Sequence, residues 1–291
     1  MRISVVLLVF ISLFANCANA QDIFLIEQMV KYAKKHNLSL PKPLSDGRIQ
    51  TLNKKGAMSP RLDWVTEKFI SYASKNNRKA FEVGSSYGLV SVIGALKAGN
   101  KDYTAVDVDK RHLGILALEI KSKYSQFSSF VKFINGEYPD DINLPDEEFD
   151  AILISRVLHF FSPYEIEKTL ADCYRILKPG GRVYTIAITP YVKRFASFIP
   201  EYEKNFDNGD DYPGFVKSLA PYADPSVTTK KQMENLHKGH FMFLDSRVLV
   251  KAFKKAGFEI HSAKETPLQY VSKTWQYDGR ENVGVIAVKP H

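Results

Sequence analysis

Short apolar runs alternate with helical apolar stripes along most of this chain. Seven runs have the length and composition of buried strands: 79–83, 103–108, 130–134, 149–154, 182–188, 258–263 and 283–288. Apolar residues recur with the helical period in the segments between most of them, as in 110–124, 163–177 and 246–256. Alternation of strand and helix is typical of a parallel sheet with helices on both faces. The pattern therefore predicts an α/β protein with a doubly wound, mostly parallel seven-stranded sheet.

The residues ahead of the first strand predict two helices and a connecting cap over 21–78. Residues 22–38 have an amphipathic pattern, for which Asp22 is a suitable N-cap. A second helix is predicted to begin with Ser59 as its N-cap and Pro60 at its first position.

Residues 189–243 interrupt the alternation within the main domain, which we place at 79–291. This segment is rich in aromatic side chains and contains an acidic stretch over 207–211. A long insertion after the carboxyl end of a strand is often a lid or a wall of a ligand pocket. We therefore expect the insertion to border the functional site.

The first twenty residues have the pattern of a targeting segment. Arg2 supplies a positive start, residues 5–15 are apolar, and residues 18–20 form an A-x-A cleavage sequence. The apolar run is too short for a comfortable membrane span. We expect a signal peptide over 1–20 and an exported protein, periplasmic or secreted, without stable membrane insertion after cleavage. A lipid attached at Cys17 and a retained anchor are the alternatives.

Charge and cysteine content bear on the expected partners and on disulfide bonding. The formal net charge is +8, and the lysines are dispersed, as on a solvated surface. We find no basic stripe or recognition motif for nucleic acid, so no such partner is expected. Cys173 is the cysteine left after signal cleavage, which excludes an intrachain disulfide, and its helical, partly apolar setting predicts a packing role.

The turn after the first strand carries the most informative chemistry. Gly84 permits a tight bend and close approach of a ligand to the backbone, and the free N–H groups of the next helix face that ligand. The spacing Gly84-x-Ser86-x-Gly88 suits a nucleotide-like cofactor. The same residues fit the G-x-S-x-G turn of a hydrolase whose nucleophile would be Ser86.

The rest of the chain favours the cofactor. A hydrolase needs a histidine after the serine, and His240 and His261 qualify on order alone. However, the turn follows the first strand of the sheet, and no His-Gly-Gly-Gly-type segment precedes it. A bound ribose needs an acid at the end of the second strand, about 20 residues on. Asp107 stands there, 19 residues after Gly88.

Five segments in this order resemble the motifs of class I S-adenosylmethionine-dependent methyltransferases: 81–88, 104–109, 135–137, 149–159 and 175–183. The resemblance implies a Rossmann-like form of the predicted fold and S-adenosylmethionine as the cofactor. Two positions depart from the family pattern. Ser86 replaces the middle glycine of the first motif, and Glu137 replaces the commoner aspartate.

The resemblance also assigns roles to individual residues. Asp107 would hold the ribose hydroxyls, Glu137 the adenine, and Ser155 would lie near the methyl group. The methionine portion would lie against Glu82 and Gly84. The remaining residues assigned to cofactor binding are Ser85, Gly88 and Val108.

Methyl transfer from a sulfonium needs alignment of the acceptor and exclusion of water more than it needs acid–base chemistry. An acceptor hydroxyl or ammonium needs a base, for which His159 and His240 are candidates, with Tyr191 able to orient the acceptor. The segment 155–158 lacks the N/D-P-P-Y/F signature of many nucleobase methyltransferases, so a small-molecule acceptor is expected. A non-catalytic cofactor-binding module is a further alternative. An exported enzyme of this kind would have to act in another cell's cytoplasm or on cofactor that leaks out.

Overall fold

The computed structural model describes residues 22–228, 230–236, 239–268 and 275–291. The predicted signal peptide lies outside the described residues. Within them, no helix has the length and apolar character needed to span a membrane.

The described chain contains twelve strands and eight α-helices in alternating order. The strands are β1 (Ile23–Leu25), β2 (Ile49–Gln50), β3 (Ala57–Met58), β4 (Ala80–Val83), β5 (Tyr103–Asp107), β6 (Val131–Asn135), β7 (Phe149–Ser155), β8 (Leu177–Ile188), β9 (Phe215–Val216), β10 (Phe241–Met242), β11 (Glu259–Thr266) and β12 (Asn282–Val288). The helices are α1 (Ile26–Lys35), α2 (Trp64–Ala73), α3 (Ser91–Lys97), α4 (Lys110–Lys123), α5 (Pro163–Ile176), α6 (Ile199–Asp207), α7 (Lys230–Leu236) and α8 (Ser246–Lys255).

Eight strands form one sheet in the order β1-β6-β5-β4-β7-β8-β12-β11. Strands β4 to β8 are paired in parallel, whereas β12 runs antiparallel to both of its neighbours. The predicted doubly wound, mostly parallel sheet is confirmed. The predicted count of seven strands was one too low, because β1 adds an antiparallel strand beside β6.

Strand β1 lies where the sequence predicts the first turn of a helix. Ile23 pairs with Ile134, and the helix begins only at Ile26, so the predicted cap at Asp22 is wrong. The amphipathic period continues through this segment, but β6 offers an unpaired edge that local pattern does not show. Hydrogen bonding to that edge satisfies the backbone of 23–25.

The start of α2 also differs from the prediction. Asp63, not Ser59, is the N-cap, and its carboxylate accepts a hydrogen bond of 2.9 Å from the backbone N–H of Thr66. Asp63 also forms an ion pair of 2.9 Å with Arg156, which follows β7. The tertiary contact favours the later of two acceptable capping residues.

The two faces of the sheet are covered by different helices. One face packs on α1 to α4, and the other packs on α5, α8 and the insertion over 189–243. Cys173 of α5 is fully buried on the second face, so its predicted packing role is confirmed. Phe198 and Tyr202 of the insertion are buried in the same cluster, which makes the insertion part of the core.

Candidate functional site

The predicted site residues meet at the carboxyl edge of the parallel strands. The last residue of β4 pairs with Val106 of β5 and with Ile154 of β7. The residue that follows each of these three paired positions is Gly84, Asp107 or Ser155. These three residues therefore lie side by side. The chain crosses from β4 toward β5 on one side, while β7 lies on the other, so the strand order reverses here. Ligands of doubly wound sheets bind at such a point.

The turn after β4 is shaped by backbone conformation and by a close neighbour. Gly84 has φ +69°, and a Cβ atom there would lie 2.5 Å from Cγ2 of Val157. Gly88 has φ +55°, and its Cβ would lie 2.6 Å from Cγ2 of Val92. Ser86 adopts the same left-handed region at φ +49°, at the position of the missing middle glycine. The turn therefore keeps the glycine-type path despite the serine.

Asp107 points its carboxylate into this turn. Its Oδ2 accepts a hydrogen bond of 2.8 Å from the backbone N–H of Ser86, and its Oδ1 accepts one of 2.8 Å from the N–H of Asp109. The ring of His112 lies 3.0 Å away, Nδ1 to Oδ1. Only 6% of Asp107 is exposed. A buried, oriented carboxylate beside a glycine turn is suited to accept hydrogen bonds from ribose hydroxyls.

The next residue, Val108, presents an exposed apolar side chain beside Asp107. Val108 is 55% exposed, which is unusual for valine. The amide of Asn135 donates to the carbonyl oxygens of Asp107 at 2.9 Å and Val108 at 3.0 Å. A side chain of β6 therefore holds the backbone at Asp107 and Val108 in place. Glu137 is exposed two residues further on. An exposed apolar side chain with a carboxylate nearby fits an adenine ring and its amino group.

Glu82 lies beneath the turn rather than in the open crevice. Its Oε2 accepts hydrogen bonds from the hydroxyls of Ser91 at 2.9 Å and Tyr103 at 2.8 Å, and 3% of the residue is exposed. Burial raises the pKa of Glu82 to about 8. The carboxyl group therefore supports the first turn of α3, directly under the glycine turn.

This raised pKa predicts a pH-dependent stability. The folded protein retains a proton on Glu82 that the unfolded chain releases above its ordinary pKa of 4.5. The contribution of Glu82 to the free energy of unfolding therefore falls as the pH rises from about 4.5 to about 8. We expect Glu82→Gln to remove this fall, because a neutral amide can still accept from Ser91 and Tyr103. Urea unfolding at about pH 5 and about pH 8 measures the difference.

The matched control is Glu167→Gln, since the Glu167 carboxylate pairs with Lys255 at the surface. That variant should keep the pH dependence of the parent. Parallel unfolding curves for Glu82→Gln and the parent at all pH values would contradict the buried, protonated state of Glu82.

Two hydroxyls of the turn are buried without a hydrogen-bond partner, those of Ser85 and Ser86. Buried polar groups are normally satisfied, so unpaired ones in a crevice are suited to a bound polar ligand. The observation also bears on the hydrolase alternative. A nucleophilic serine needs an adjacent base, and the Ser86 hydroxyl contacts no histidine of the described residues.

His159 lies in a short 3-10 turn, Leu158–Phe160, directly after β7. Its ring stacks on Phe241 of the insertion, with 5.0 Å between centroids, and its Nδ1 is buried without a partner. Burial, with the charge of Arg156 as a smaller cause, lowers the pKa of His159 to about 3. The imidazole is neutral at physiological pH.

The other two predicted catalytic residues have different surroundings. His240 is exposed, and its Nε2 donates to the carbonyl oxygen of Phe160 at 2.8 Å, so it lies near His159. The Tyr191 hydroxyl donates to Glu203 at 2.5 Å and accepts from Arg247 at 3.1 Å. Burial raises the pKa of Tyr191. The structure brings the two histidines together and engages Tyr191 in a separate polar network.

Sequence reasoning missed His112, which contacts Asp107 directly. The signal that marks it is a polar residue on the buried face of a helix. His112 is 1% exposed, among apolar residues of α4. It is a buried hydrogen-bonding neighbour of Asp107 and not a surface residue.

Known proteins match the fold and part of the sequence of this chain. Residues 81–185 match the family model described as a methyltransferase domain. A SAM-dependent methyltransferase from Methanosarcina mazei superimposes with a TM-score of 0.57 at 16% identity, covering 79% of this chain and 98% of that one. An S-adenosylmethionine-dependent methyltransferase from Mesorhizobium loti gives 0.52 at 14% identity, covering 77% and 95%.

A curated protein matches a shorter part of this chain than the two solved structures do. Over 113 residues the chain is 31% identical to polyketide synthase 19 of Gibberella fujikuroi, which is 37% of this chain and 4% of the synthase. The chain therefore matches a small part of that protein's length.

The fold and the family match agree with each other. The sheet is that of the class I S-adenosylmethionine-dependent methyltransferases, and the matched residues include Gly84, Asp107 and Ser155. Residues 81–185 match a methyltransferase domain, on a fold that is shared with S-adenosylmethionine-dependent methyltransferases. Both findings agree with the predicted family and with S-adenosylmethionine as the predicted cofactor.

Proposed function

We propose that this protein transfers the methyl group of S-adenosylmethionine to a small-molecule acceptor by direct displacement. The observation that carries the proposal is the row formed by Gly84, Asp107 and Ser155 at the reversal of strand order. Beside it, the exposed Val108 and the unpaired hydroxyls of the turn suit the apolar and polar parts of the cofactor. When bound, the cofactor supplies a methyl group activated by a positive sulfur.

The chain's own part is to bind, orient and exclude water. Gly84 leaves room for close approach to the backbone, and Asp107 accepts from the ribose hydroxyls. Ser155 ends β7 beside Gly84, so the acceptor is expected between this position and the insertion. The strand pair β9–β10 of the insertion packs Phe241 against the turn after β7 and forms the wall on that side.

The acceptor is expected to be partly apolar. Rings from both the turn and the insertion meet at this wall, with His159 between Phe160 at 4.2 Å and Phe241 at 5.0 Å. A histidine whose pKa is about 3 is a weak base. We therefore propose that His159 orients the acceptor through a hydrogen bond to Nδ1, and that His240 is the better candidate for accepting a proton.

Three measurements test the proposal. Calorimetry with S-adenosylmethionine and S-adenosylhomocysteine should show binding to the purified protein. Incubation of a cell extract with the protein and methyl-labelled cofactor should then yield a labelled small molecule, with Asp107→Ala as the blank. Binding without any labelled product would instead identify a non-catalytic cofactor-binding module. Labelling of Ser86 by a fluorophosphonate probe would overturn the proposal in favour of a hydrolase.

A further inference from the structure

His112 joins the cofactor crevice to a segment far away in the sequence. Its Nδ1 lies 3.0 Å from Oδ1 of Asp107, and its Nε2 lies 3.1 Å from the backbone nitrogen of Leu52. Leu52 belongs to the loop of hairpin β2–β3. A chain of hydrogen bonds therefore runs from this hairpin through the imidazole and the Asp107 carboxylate to the N–H of Ser86.

The partners of His112 assign the position of its proton. The backbone N–H of Leu52 can only donate, so Nε2 must present its lone pair. The proton is then on Nδ1, which donates to Asp107. A second carboxylate oxygen, on Asp109, lies 3.6 Å from Nε2, but Arg111 pairs with it at 2.6 Å. The ring edge of Tyr87, with centroids 5.1 Å apart, completes the surroundings.

A second hydrogen bond joins hairpin β2–β3 to the glycine turn. The hydroxyl of Tyr87 donates to the carbonyl oxygen of Gln50 at 3.0 Å. Ile49 packs with Tyr87 in a small buried cluster of its own. At the other end of the hairpin loop, Gly56 lies beside the ring of Phe160, which follows β7. Hairpin β2–β3 thus reaches from the glycine turn to the proposed acceptor wall.

We propose that His112 is a positioning residue that orients Asp107 toward the ribose and couples cofactor binding to closure of hairpin β2–β3. The proposal rests on the proposed function, since it requires Asp107 to receive the ribose hydroxyls. Hydrogen bonds from the ribose add to those from the N–H groups of Ser86 and Asp109 and restrict the carboxylate further. The carboxylate then holds the imidazole, and the imidazole holds the N–H of Leu52. Ligand binding therefore orders the hairpin without contacting it.

Two substitutions at this position separate the two links. In His112→Asn, the side-chain amide nitrogen can replace Nδ1 as donor to Asp107, but no acceptor reaches Leu52. In His112→Leu, both links are lost in a side chain of similar bulk. We expect His112→Asn to retain most of the affinity for S-adenosylhomocysteine. His112→Leu should weaken binding roughly tenfold, because one charge-assisted hydrogen bond to Asp107 is lost.

Hairpin closure is measured by limited trypsin digestion of the full chain, with and without saturating S-adenosylhomocysteine. Lys54 and Lys55 are exposed at the hairpin loop and provide the cleavage sites. In the parent protein the ligand should slow cleavage there severalfold. In His112→Asn this protection should disappear although the ligand still binds. His261→Asn, an exposed histidine on β11, is the matched control and should keep the protection.

A merely structural role for His112 makes a different prediction. It would lower the melting temperature of both variants but leave ligand-induced protection of the folded protein unchanged, and that result overturns the proposal. The proposal is also overturned if S-adenosylhomocysteine binds to the parent protein but does not protect the hairpin from cleavage. No binding to the parent at all would instead overturn the proposed function, so the two failures are distinguishable. If His112→Leu does not fold, His112→Asn decides alone.

Discussion

Replacement of Asp107 by asparagine is expected to weaken S-adenosylmethionine binding by about a hundredfold, or about 3 kcal/mol. Both carboxylate oxygens accept backbone N–H groups, Oδ2 from Ser86 and Oδ1 from Asp109. An amide would therefore place its NH2 group against one of these donors. The substitution also removes the negative charge that strengthens hydrogen bonds from the ribose hydroxyls. Titration calorimetry with S-adenosylmethionine measures the loss directly.

The neighbouring Asp109→Asn provides the control. The Asp109 carboxylate pairs with Arg111 and caps α4 rather than facing the crevice. Asparagine caps a helix as well as aspartate does, so the replacement should reduce stability by less than about 1 kcal/mol, through the lost ion pair with Arg111, and change cofactor affinity little. If Asp107→Asn binds the cofactor as tightly as the parent does, the assignment of the ribose site is wrong.

Gly84→Ala is expected to have the second largest effect. Its φ of +69° is unfavourable for alanine, and the new methyl group would meet Cγ2 of Val157 at 2.5 Å. The conformational cost is about 1 kcal/mol, and overpacking adds about 1–3 kcal/mol. The collision would also displace Val157 and the glycine turn that it packs against, where the methionine portion is proposed to bind. We therefore expect both the free energy of unfolding and the cofactor affinity to fall.

A double-mutant cycle with Val157→Ala separates these causes. Removing the valine methyl groups relieves the collision, so the double variant should regain part of its stability. Gly284→Ala is a control for stability alone, because its Cβ would collide with Trp64 and Val65 in the core of β12 and α2. That variant should unfold more readily in urea but bind the cofactor normally once folded. Normal binding by Gly84→Ala would contradict the proposed path of the methionine portion.

The main strands and the site turn could be predicted because their signals are local. Apolar runs bounded by glycine or acidic residues specify β4 and β5, and the places where they end determine where Gly84 and Asp107 emerge. Parallel pairing then brings these carboxyl ends to one edge. The row at the site therefore follows from sequence pattern and general rules of sheet construction.

Two helix starts could not be predicted in this way. Residues 23–25 have a helical pattern, but they pair with β6 because that strand has an open edge. The cap of α2 was predicted at Ser59, but Asp63 takes that position since it also pairs with Arg156. Both outcomes depend on partners more than 90 residues away.

The sequence by itself determined the order of the strands along the chain, the glycine turn, and the acid that faces it, since each depends on residues close together. Only the tertiary structure decided that Glu82 is buried and protonated, that the Tyr191 hydroxyl is engaged, and that His112 joins Asp107 to Leu52. The reason is physical. Burial and hydrogen-bond partners, which set the charge and orientation of a side chain, come from segments that meet only when the chain folds.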